Sequence, residues 1–318
     1  PLQVILEELE RQAALGDIVY NDDTTAKILD WMGKRAAKKA FREETDEIIF
    51  NKDGTQRRGM YTTGIVSTRG DRQIALFFTG RRHAGENLDR LLGQRSDELA
   101  RPIQMCDPLA QNMPDELKAI VANCLAHGRR QFVDVVEAFP DEVKHVLQAL
   151  KKVYKNDATA RKDKLSPEAR PRFHQAESGP IMEELKEWMA GQINDRLVEP
   201  NSGLGKAISY MTTRWEKFTL FLREPGAPLD NNICERALKK AILHRKNSYF
   251  YKTLNGARVG DLFMSLIYTC QLCQVNAFDY LTELLRHADK LAASPQSWMP
   301  WNYRQALAGA TQSGAAMA

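Results

Sequence analysis

The sequence predicts a mixed α/β fold that is interrupted by a large helical insertion. Three β-branched or aromatic runs follow an N-terminal helix, and a fourth short apolar run comes after a second helix. Helical periodicity then dominates from about residue 128 to 223. Strands that precede a long helical stretch suit a mixed sheet covered by helices, and several α+β folds share this pattern.

The N-terminal third contains the predicted sheet. Apolar residues recur at helical spacing over residues 2–15 until Gly16. Three strands follow in IVYNDDTTAKIL, MYTTGIVST and RQIALFFTG, and the turn-like segments NKDGTQRRG and TRGD separate them. A helix in AGENLDRLLGQR precedes a fourth strand in PIQMCDP, which ends at Pro108 because proline cannot donate to a β-ladder. The segment DELKAIVANCLAH fits a short helix with a fifth strand, or one continuous helix.

Four segments follow from these patterns and their polar breaks. Residues 1–139 are predicted to form the first part of the α/β core, and residues 140–228 a helical insertion domain. Residues 229–273 are predicted to return to the core, and residues 274–318 to form a C-terminal helix and tail.

The composition is that of a folded chain without membrane spans. Of 318 residues, 43% are hydrophobic and 27% charged, and no apolar run reaches the roughly 20 residues that cross a bilayer. Five cysteines without a disulfide-like spacing predict a reducing, cytoplasmic environment. The net charge of +4 is a mild indication of an anionic partner.

Acidic residues near two predicted strand ends are candidates for a metal site. They are Asp22 or Asp23 in the first strand and Asp107 after the fourth, and only one of the adjacent pair can face a given site. Neighbouring carboxylates repel unless a divalent cation neutralises them, and magnesium takes oxygen ligands. Glu235 could complete a two-metal site. The alternatives are turn aspartates and a helix-capping box formed by Asn232 and Glu235.

Five long motifs occur in a fixed order between residue 20 and about residue 303. They are DDTTAKIL, CLAHGRRQF, PLDNNICERALKKAILHRKNSYFY, SLIYTCQLCQVNAFDYLTELL and SWMPWNY. Together they resemble the motifs of transposases of the insertion-sequence family IS-sixty-six. The resemblance implies an Asp-Asp-Glu transposase with a ribonuclease-H-like catalytic domain and magnesium-dependent chemistry.

The resemblance also implies the roles of individual residues. Asp22, Asp107 and Glu235 would be the catalytic triad and would bind two magnesium ions, for which manganese can substitute. The implied reaction is phosphodiester hydrolysis at the element ends, followed by transfer of the 3′-hydroxyl into target DNA. The implied partners are the terminal repeats, target DNA and further copies of the chain on paired ends, in the cytoplasm at the bacterial nucleoid.

A basic stretch follows Glu235. Seven arginines and lysines and no acid lie between Arg236 and Arg258, interleaved with Tyr249, Phe250 and Tyr251. Such a run is usually a solvated helix face, but with the resemblance it implies contact with phosphates, and the rings could stack on an unstacked base. The predicted DNA-binding residues are His127, Arg129, Arg130, Asn231, Asn232, Arg236, Lys239, Lys240, Arg245 and Lys246.

Some assignments stay open at this point. Cys124 and His127 resemble a short motif that lies near the active site in other transposases, and a packing role is the alternative. A zinc site that adds Cys270 and Cys273 is disfavoured, because these two lie one turn apart in an apolar helix, where thiols act as small hydrophobes. Two other functions remain: a catalytically inactive DNA-binding derivative, and a ribonuclease-H-like structure-specific nuclease.

Overall fold

The computed structural model describes residues 1–33, 49–51, 54–113 and 118–308. Its strands are β1 (Ile18–Thr25), β2 (Tyr61–Arg69), β3 (Arg72–Gly80), β4 (Ile103–Cys106) and β5 (Ile120–Asn123). They form one sheet in the order β3-β2-β1-β4-β5. β2 is antiparallel to both β1 and β3, whereas β4 and β5 are parallel. The predicted mixed α/β fold with about five strands is confirmed.

Helices make up most of the remaining described chain. They are α1 (Leu2–Ala14), α2 (Ala84–Leu92), α3 (Leu125–Val133), α4 (Pro140–Lys162), α5 (Ala169–Glu177), α6 (Gly179–Asn194), α7 (Gly203–Thr212), α8 (Trp215–Phe218), α9 (Asn232–Ser248), α10 (Leu254–Leu272), α11 (Ala277–Arg286) and α12 (Ala288–Leu291). The predicted helical stretch between residues 128 and 223 is confirmed.

The structure corrects the end of the first strand and decides between the two alternatives for the segment DELKAIVANCLAH. The first strand is shorter than IVYNDDTTAKIL, because the chain leaves β2 after Thr25 and Ile28 pairs instead with Tyr251. Buried Ile28 then packs with Met60 and Leu254 in a small cluster of its own. In DELKAIVANCLAH the structure has β5 followed by α3, and residues 114–117 lie outside the described part.

The chain divides into two compact units, which are described separately. Unit 1 comprises residues 1–102, 110–119 and 232–318, and unit 2 comprises residues 103–109 and 120–231. The domain boundaries at residues 139, 228 and 273 remain predictions.

Unit 1 contains α1, β1 to β3, α2 and the helices from α9 onward. Its main core joins the apolar face of α1 to the sheet, through buried Leu9 and Ile65, and to α11, through buried Tyr280. The Tyr280 hydroxyl donates to the backbone oxygen of Trp298 at 2.7 Å, so the SWMPWNY segment is part of this core.

Helix α10 lies along β3, the edge strand, and is joined to it by polar side chains. Four residues of a helix rise about 6 Å and two residues of a strand about 6.6 Å, so groups at these spacings stay in step. Asp261, Ser265 and Thr269 accept hydrogen bonds from the backbone amides of Thr79, Phe77 and Ala75 at 2.6, 3.0 and 3.1 Å. The helix therefore occupies hydrogen-bonding positions that an edge strand would otherwise expose.

Asp261 makes the stability of unit 1 depend on pH. Burial raises its pKa to about 7, against the hydrogen bonds from Thr79 and the charge of Arg258, which lower it. Because the folded carboxyl holds a proton that the unfolded one releases near pH 3.8, the free energy of unfolding falls as pH rises towards and through 7. We expect a loss of about 1.4 kcal/mol between about pH 6 and pH 8 from this group.

Urea unfolding at several pH values would measure this effect. Asp261→Asn should flatten the dependence, because the amide keeps an acceptor for the Thr79 amide but does not titrate. The same slope in Asp261→Asn and the parent chain would contradict the assignment.

Unit 2 is largely helical and contains β4, β5 and α3 to α8. Apolar residues such as Val146, Leu150 and Met182 are buried between its helices. Asp157 of α4 is also buried, and ion pairs with Arg161 at 2.8 Å and Arg170 at 2.6 Å neutralise it. Burial raises the pKa of Asp157, but its basic and hydrogen-bonding partners outweigh this and hold the pKa below its usual value.

Candidate functional site

Asp22 faces the side of the sheet that α9 covers. In β1 it is paired with Gly64 of β2, and directly opposed residues of antiparallel strands project to the same face. The Cys234 thiol donates to the Gly64 oxygen at 3.3 Å. A methyl carbon at Gly64 would lie 3.0 Å from Cγ and Cδ2 of Leu238, so the missing side chain lets α9 approach closely. Glu235 follows Cys234 in this part of the helix.

The carboxylate of Asp22 is half-buried and held by its surroundings. Its Oδ1 accepts a hydrogen bond from the Asp23 amide at 2.8 Å and lies 3.5 Å from Nδ2 of Asn112. A carboxylate fixed by a backbone amide loses less freedom when it binds a cation, and so it suits a ligand role.

Asp23 faces the opposite side of the sheet, towards α2. Its Oδ2 lies 2.9 Å from Nδ1 of His83, the residue that precedes α2, and 3.4 Å from the Ala84 amide. On the same face Nδ2 of Asn87 donates to Thr63, the residue paired with Asp23. Asp23 is thus bound into a structural contact with α2. Sequence patterns did not identify His83, which no motif marks and which lies far from Asp23 in the chain.

Glu235 lies in the first turn of α9, which begins at Asn232. The residue before the helix is therefore Asn231, and the third helical residue is Cys234. A capping box between Asn232 and Glu235 would need the helix to begin one residue later. The capping box and the ligand role for Glu235 both remain predictions.

In unit 2, Asp107, Cys124 and His127 lie together at the ends of two parallel strands. Asp107 follows β4 and is buried, whereas Cys124 follows β5 and precedes α3. The Cys124 amide donates to the oxygen of Cys106 at 3.0 Å. One potential ligand atom from each of Asp107, Cys124 and His127 lies within 4.8 Å of the others.

His127 contacts Asp107. Its Nδ1 lies 2.7 Å from Oδ1 of Asp107. Burial alone would lower its pKa, but the hydrogen bonds and charges of Asp107 and Cys124 outweigh burial and raise the pKa to about 10. The contact with Asp107 fixes the orientation of the His127 ring. Cys270 belongs to the core of unit 1, where burial raises its pKa to about 12.

The start of the signature PLDNNICERALKKAILHRKNSYFY is attached to α3. The Leu125 amide donates to the oxygen of Leu229 at 2.9 Å, and the Asn231 amide donates to Sγ of Cys124 at 3.2 Å. Asn231 is fully buried. Burial and the neighbouring Asp230 carboxylate raise the pKa of Tyr154 in α4. These contacts fix the segment that leads into α9.

The predicted DNA-binding residues of unit 1 differ in their surroundings. Arg245 is committed to β1: its Nη1 donates to the hydroxyl groups of Thr24 at 3.1 Å and Thr25 at 2.8 Å, and to the Thr25 backbone oxygen. Asn232 is half-buried at the helix start. The remaining predicted DNA-binding residues on α9 are exposed: Arg236, Lys239, Lys240 and Lys246. In unit 2, Arg129 and Arg130 are exposed on α3.

Comparisons with known proteins identify relatives of this chain. Residues 1–259 match the Transposase IS66 family, the family that the motifs resemble. Two uncharacterized proteins of Sinorhizobium fredii (strain NBRC 101917 / NGR234) are also similar. The protein y4jD is 31% identical over 188 residues, which cover 58% of this chain and 36% of that protein. The protein y4hP is 28% identical over 214 residues, which cover 64% of this chain and 38% of that protein.

The matched part is a minor share of these relatives. The chain spans little more than a third of the length of y4jD and y4hP. No solved structure matches it significantly. Within the described residues, no helix combines the length and apolar composition that a bilayer crossing requires.

Proposed function

The chain belongs to the Transposase IS66 family, and from this membership we propose that it cleaves DNA at the ends of a mobile element and joins them to target DNA. Hydrolysis of one phosphodiester bond would expose a 3′-hydroxyl, which then attacks the target strand. The observation that carries this proposal beyond family membership is the close packing of α9 at Gly64. It supports a position for Glu235 on the face of the sheet that Asp22 occupies.

Asp22, Asp107 and Glu235 are the proposed catalytic carboxylates. Oxygen ligands of this kind fit magnesium, and manganese has similar requirements. Two such ions, when bound, would activate the attacking oxygen and stabilise the leaving oxygen of an in-line displacement. The fixed carboxylate of Asp22 supports its part in such a ligand set.

His127 is proposed to assist by its charge. Its imidazolium lies beside Asp107, where it would attract the phosphodiester that approaches this carboxylate. Arg129 and Arg130 on the same helix are exposed and would extend the positive surface.

The exposed cations of α9 are the proposed contacts to the DNA backbone. We expect Lys239→Ala with Lys240→Ala to reduce the slope of log affinity against log salt by about 1 for each phosphate that is no longer neutralised. Stability should not change, because both side chains are exposed. Fluorescence anisotropy over a salt series would measure the slope. The matched control is Lys151→Ala with Lys152→Ala, an adjacent exposed pair on α4.

Arg245 should behave differently from these lysines. Arg245→Ala is expected to lower the free energy of unfolding by about 1–3 kcal/mol, because it removes hydrogen bonds to the end of β1. For the lysine variants, an equal salt dependence of DNA affinity in the Lys239/Lys240 variant and the Lys151/Lys152 control would contradict a DNA role for α9. A parental melting temperature for Arg245→Ala would contradict its structural role.

The test of the proposed function is an assay for cleavage and joining with the ends of the element that encodes the chain. Both products should require magnesium or manganese. Cleavage without joining would indicate a structure-specific nuclease, and metal-independent DNA binding without cleavage would indicate an inactive derivative.

A further inference from the structure

Tyr249 has a backbone conformation that is unusual for its residue type. It directly follows α9 and has φ +61°, in the left-handed region. Helices commonly end with one residue in this region, but glycine or asparagine usually supplies it because a larger side chain is strained there. Helix termination accounts for this conformation, since Lys164, Arg196 and Gln274 also have positive φ two residues after helices of this chain, but it does not require an aromatic side chain.

Packing does not explain the ring either. Tyr249 is 71% exposed and the next residue, Phe250, is 44% exposed. Two adjacent aromatic side chains in solvent forgo the burial that normally stabilises such groups. Adjacent exposed aromatic side chains often mark a surface that contacts a ligand.

The segment that carries the two rings is firmly attached. Tyr251 pairs with the chain after β1: its amide donates to the oxygen of Lys27, and its own oxygen accepts from the Leu29 amide, both at 2.9 Å. The Tyr251 ring stacks on His244 with centroids 5.0 Å apart, and burial raises its pKa to about 12. Tyr251 is thus the anchor, which holds Tyr249 and Phe250 in place.

The exposed pair lies in a basic part of the sequence. Lys246 and Lys252 flank it in sequence and are exposed, and no acid lies between Arg236 and Arg258. Aromatic rings for bases and cations for the backbone are the combination by which proteins hold single-stranded nucleic acid. Duplex bases stack on each other and offer their faces only at ends, nicks and melted sites.

We infer that Tyr249 and Phe250 form a stacking site for an unpaired base of single-stranded DNA. The choice of DNA rests on the proposed function. Such a site would hold a strand whose bases have separated at a cleaved or distorted end. It adds base stacking to the phosphate contacts proposed for the lysines of α9.

Tyr249→Gly separates this role from a structural one. A ring needed for the fold would make the variant less stable, whereas a stacking ring would make it more stable but weaker in binding. Glycine should relieve the backbone strain and raise the melting temperature by about 2 °C. It should also weaken the binding of a short oligothymidylate with a central 2-aminopurine on the order of tenfold. In the parent chain, stacking on the ring should quench the fluorescence of the 2-aminopurine, and in Tyr249→Gly this quench should disappear. Tyr249→Phe is the matched control and should keep the parental affinity, since it keeps the ring. The full chain is used in metal-free buffer, so the result does not depend on catalysis.

Three outcomes would overturn the inference. The first is that Tyr249→Gly leaves the affinity for oligothymidylate and the fluorescence quench unchanged. The second is that Tyr249→Gly lowers the affinity for blunt duplex and for single-stranded DNA equally. The third is that Tyr249→Gly weakens self-association of the chain and leaves DNA affinity unchanged. The last would indicate an interface between copies of the chain. If Tyr249→Gly lowers the melting temperature, Phe250→Ala decides by the same affinity and quench criteria.

Discussion

Asp22→Asn is expected to lower the rate of metal-dependent strand cleavage by a factor on the order of 1,000 or more. An amide keeps the size of the side chain but removes the negative charge that, in the proposed mechanism, would bind a divalent cation. DNA affinity should be nearly unchanged, because the exposed cations of α9 remain. Glu235→Gln should have the same effect for the same reason.

Asp23→Asn is the matched control, since it makes the same chemical change one residue away on the opposite face of β1. It weakens the contact with His83 at the start of α2, so we expect a decrease of about 1–2 kcal/mol in the free energy of unfolding. Cleavage should stay close to the parental rate. For both variants, single-turnover assays on DNA that contains an element end would measure the cleavage rate, and a separate binding assay would measure DNA affinity. Abolished cleavage in Asp23→Asn with full activity in Asp22→Asn would reverse the assignment.

Gly64→Val is expected to impair both the fold and the reaction. A methyl carbon at this position already lies 3.0 Å from Leu238 and 3.6 Å from Sγ of Cys234. The larger side chain would push α9 away from the sheet and lower the free energy of unfolding by about 1–3 kcal/mol. Because Glu235 moves with the helix, a displacement of about 1 Å should slow cleavage roughly 100-fold.

A second substitution tests whether the helix position is the cause. Leu238→Ala alone should be destabilising, because it empties a buried site. In the Gly64→Val background, however, it should restore stability and cleavage, since the smaller residue makes room for valine. Gly80→Val is the control, because among the described residues no atom lies within 4 Å of a methyl carbon placed at Gly80. Additive effects of Gly64→Val and Leu238→Ala would contradict the proposed contact.

Local patterns predicted most elements of this fold. The apolar and aromatic run in RQIALFFTG marked β3 with its observed bounds, because β-branched and aromatic residues between turns leave few alternatives. The segment containing β5 could not be decided, since Ile120, Val121 and Ala122 fit a helix as well as a strand. The end of β1 was misjudged because Ile28 pairs with Tyr251, a contact between distant parts of the chain.

The candidate site was predictable only in part. Strand alternation predicted that Asp22 and Asp23 face opposite sides. Which of them faces α9 depends on the contact of Gly64 with Leu238, and no local pattern encodes it. The sequence patterns predicted no role for Asp261. Its role depends on the edge position of β3, which is a property of the assembled sheet.

The attachment of α10 to β3 restricts how copies of the chain can assemble. Extending a sheet across two molecules requires an edge strand with free amides, and three amides of β3 already donate to Asp261, Ser265 and Thr269. A second molecule cannot add a strand there without displacing the helix. In the proposed reaction on paired DNA ends, copies of the chain would therefore be joined through surfaces other than β3, or through the DNA itself.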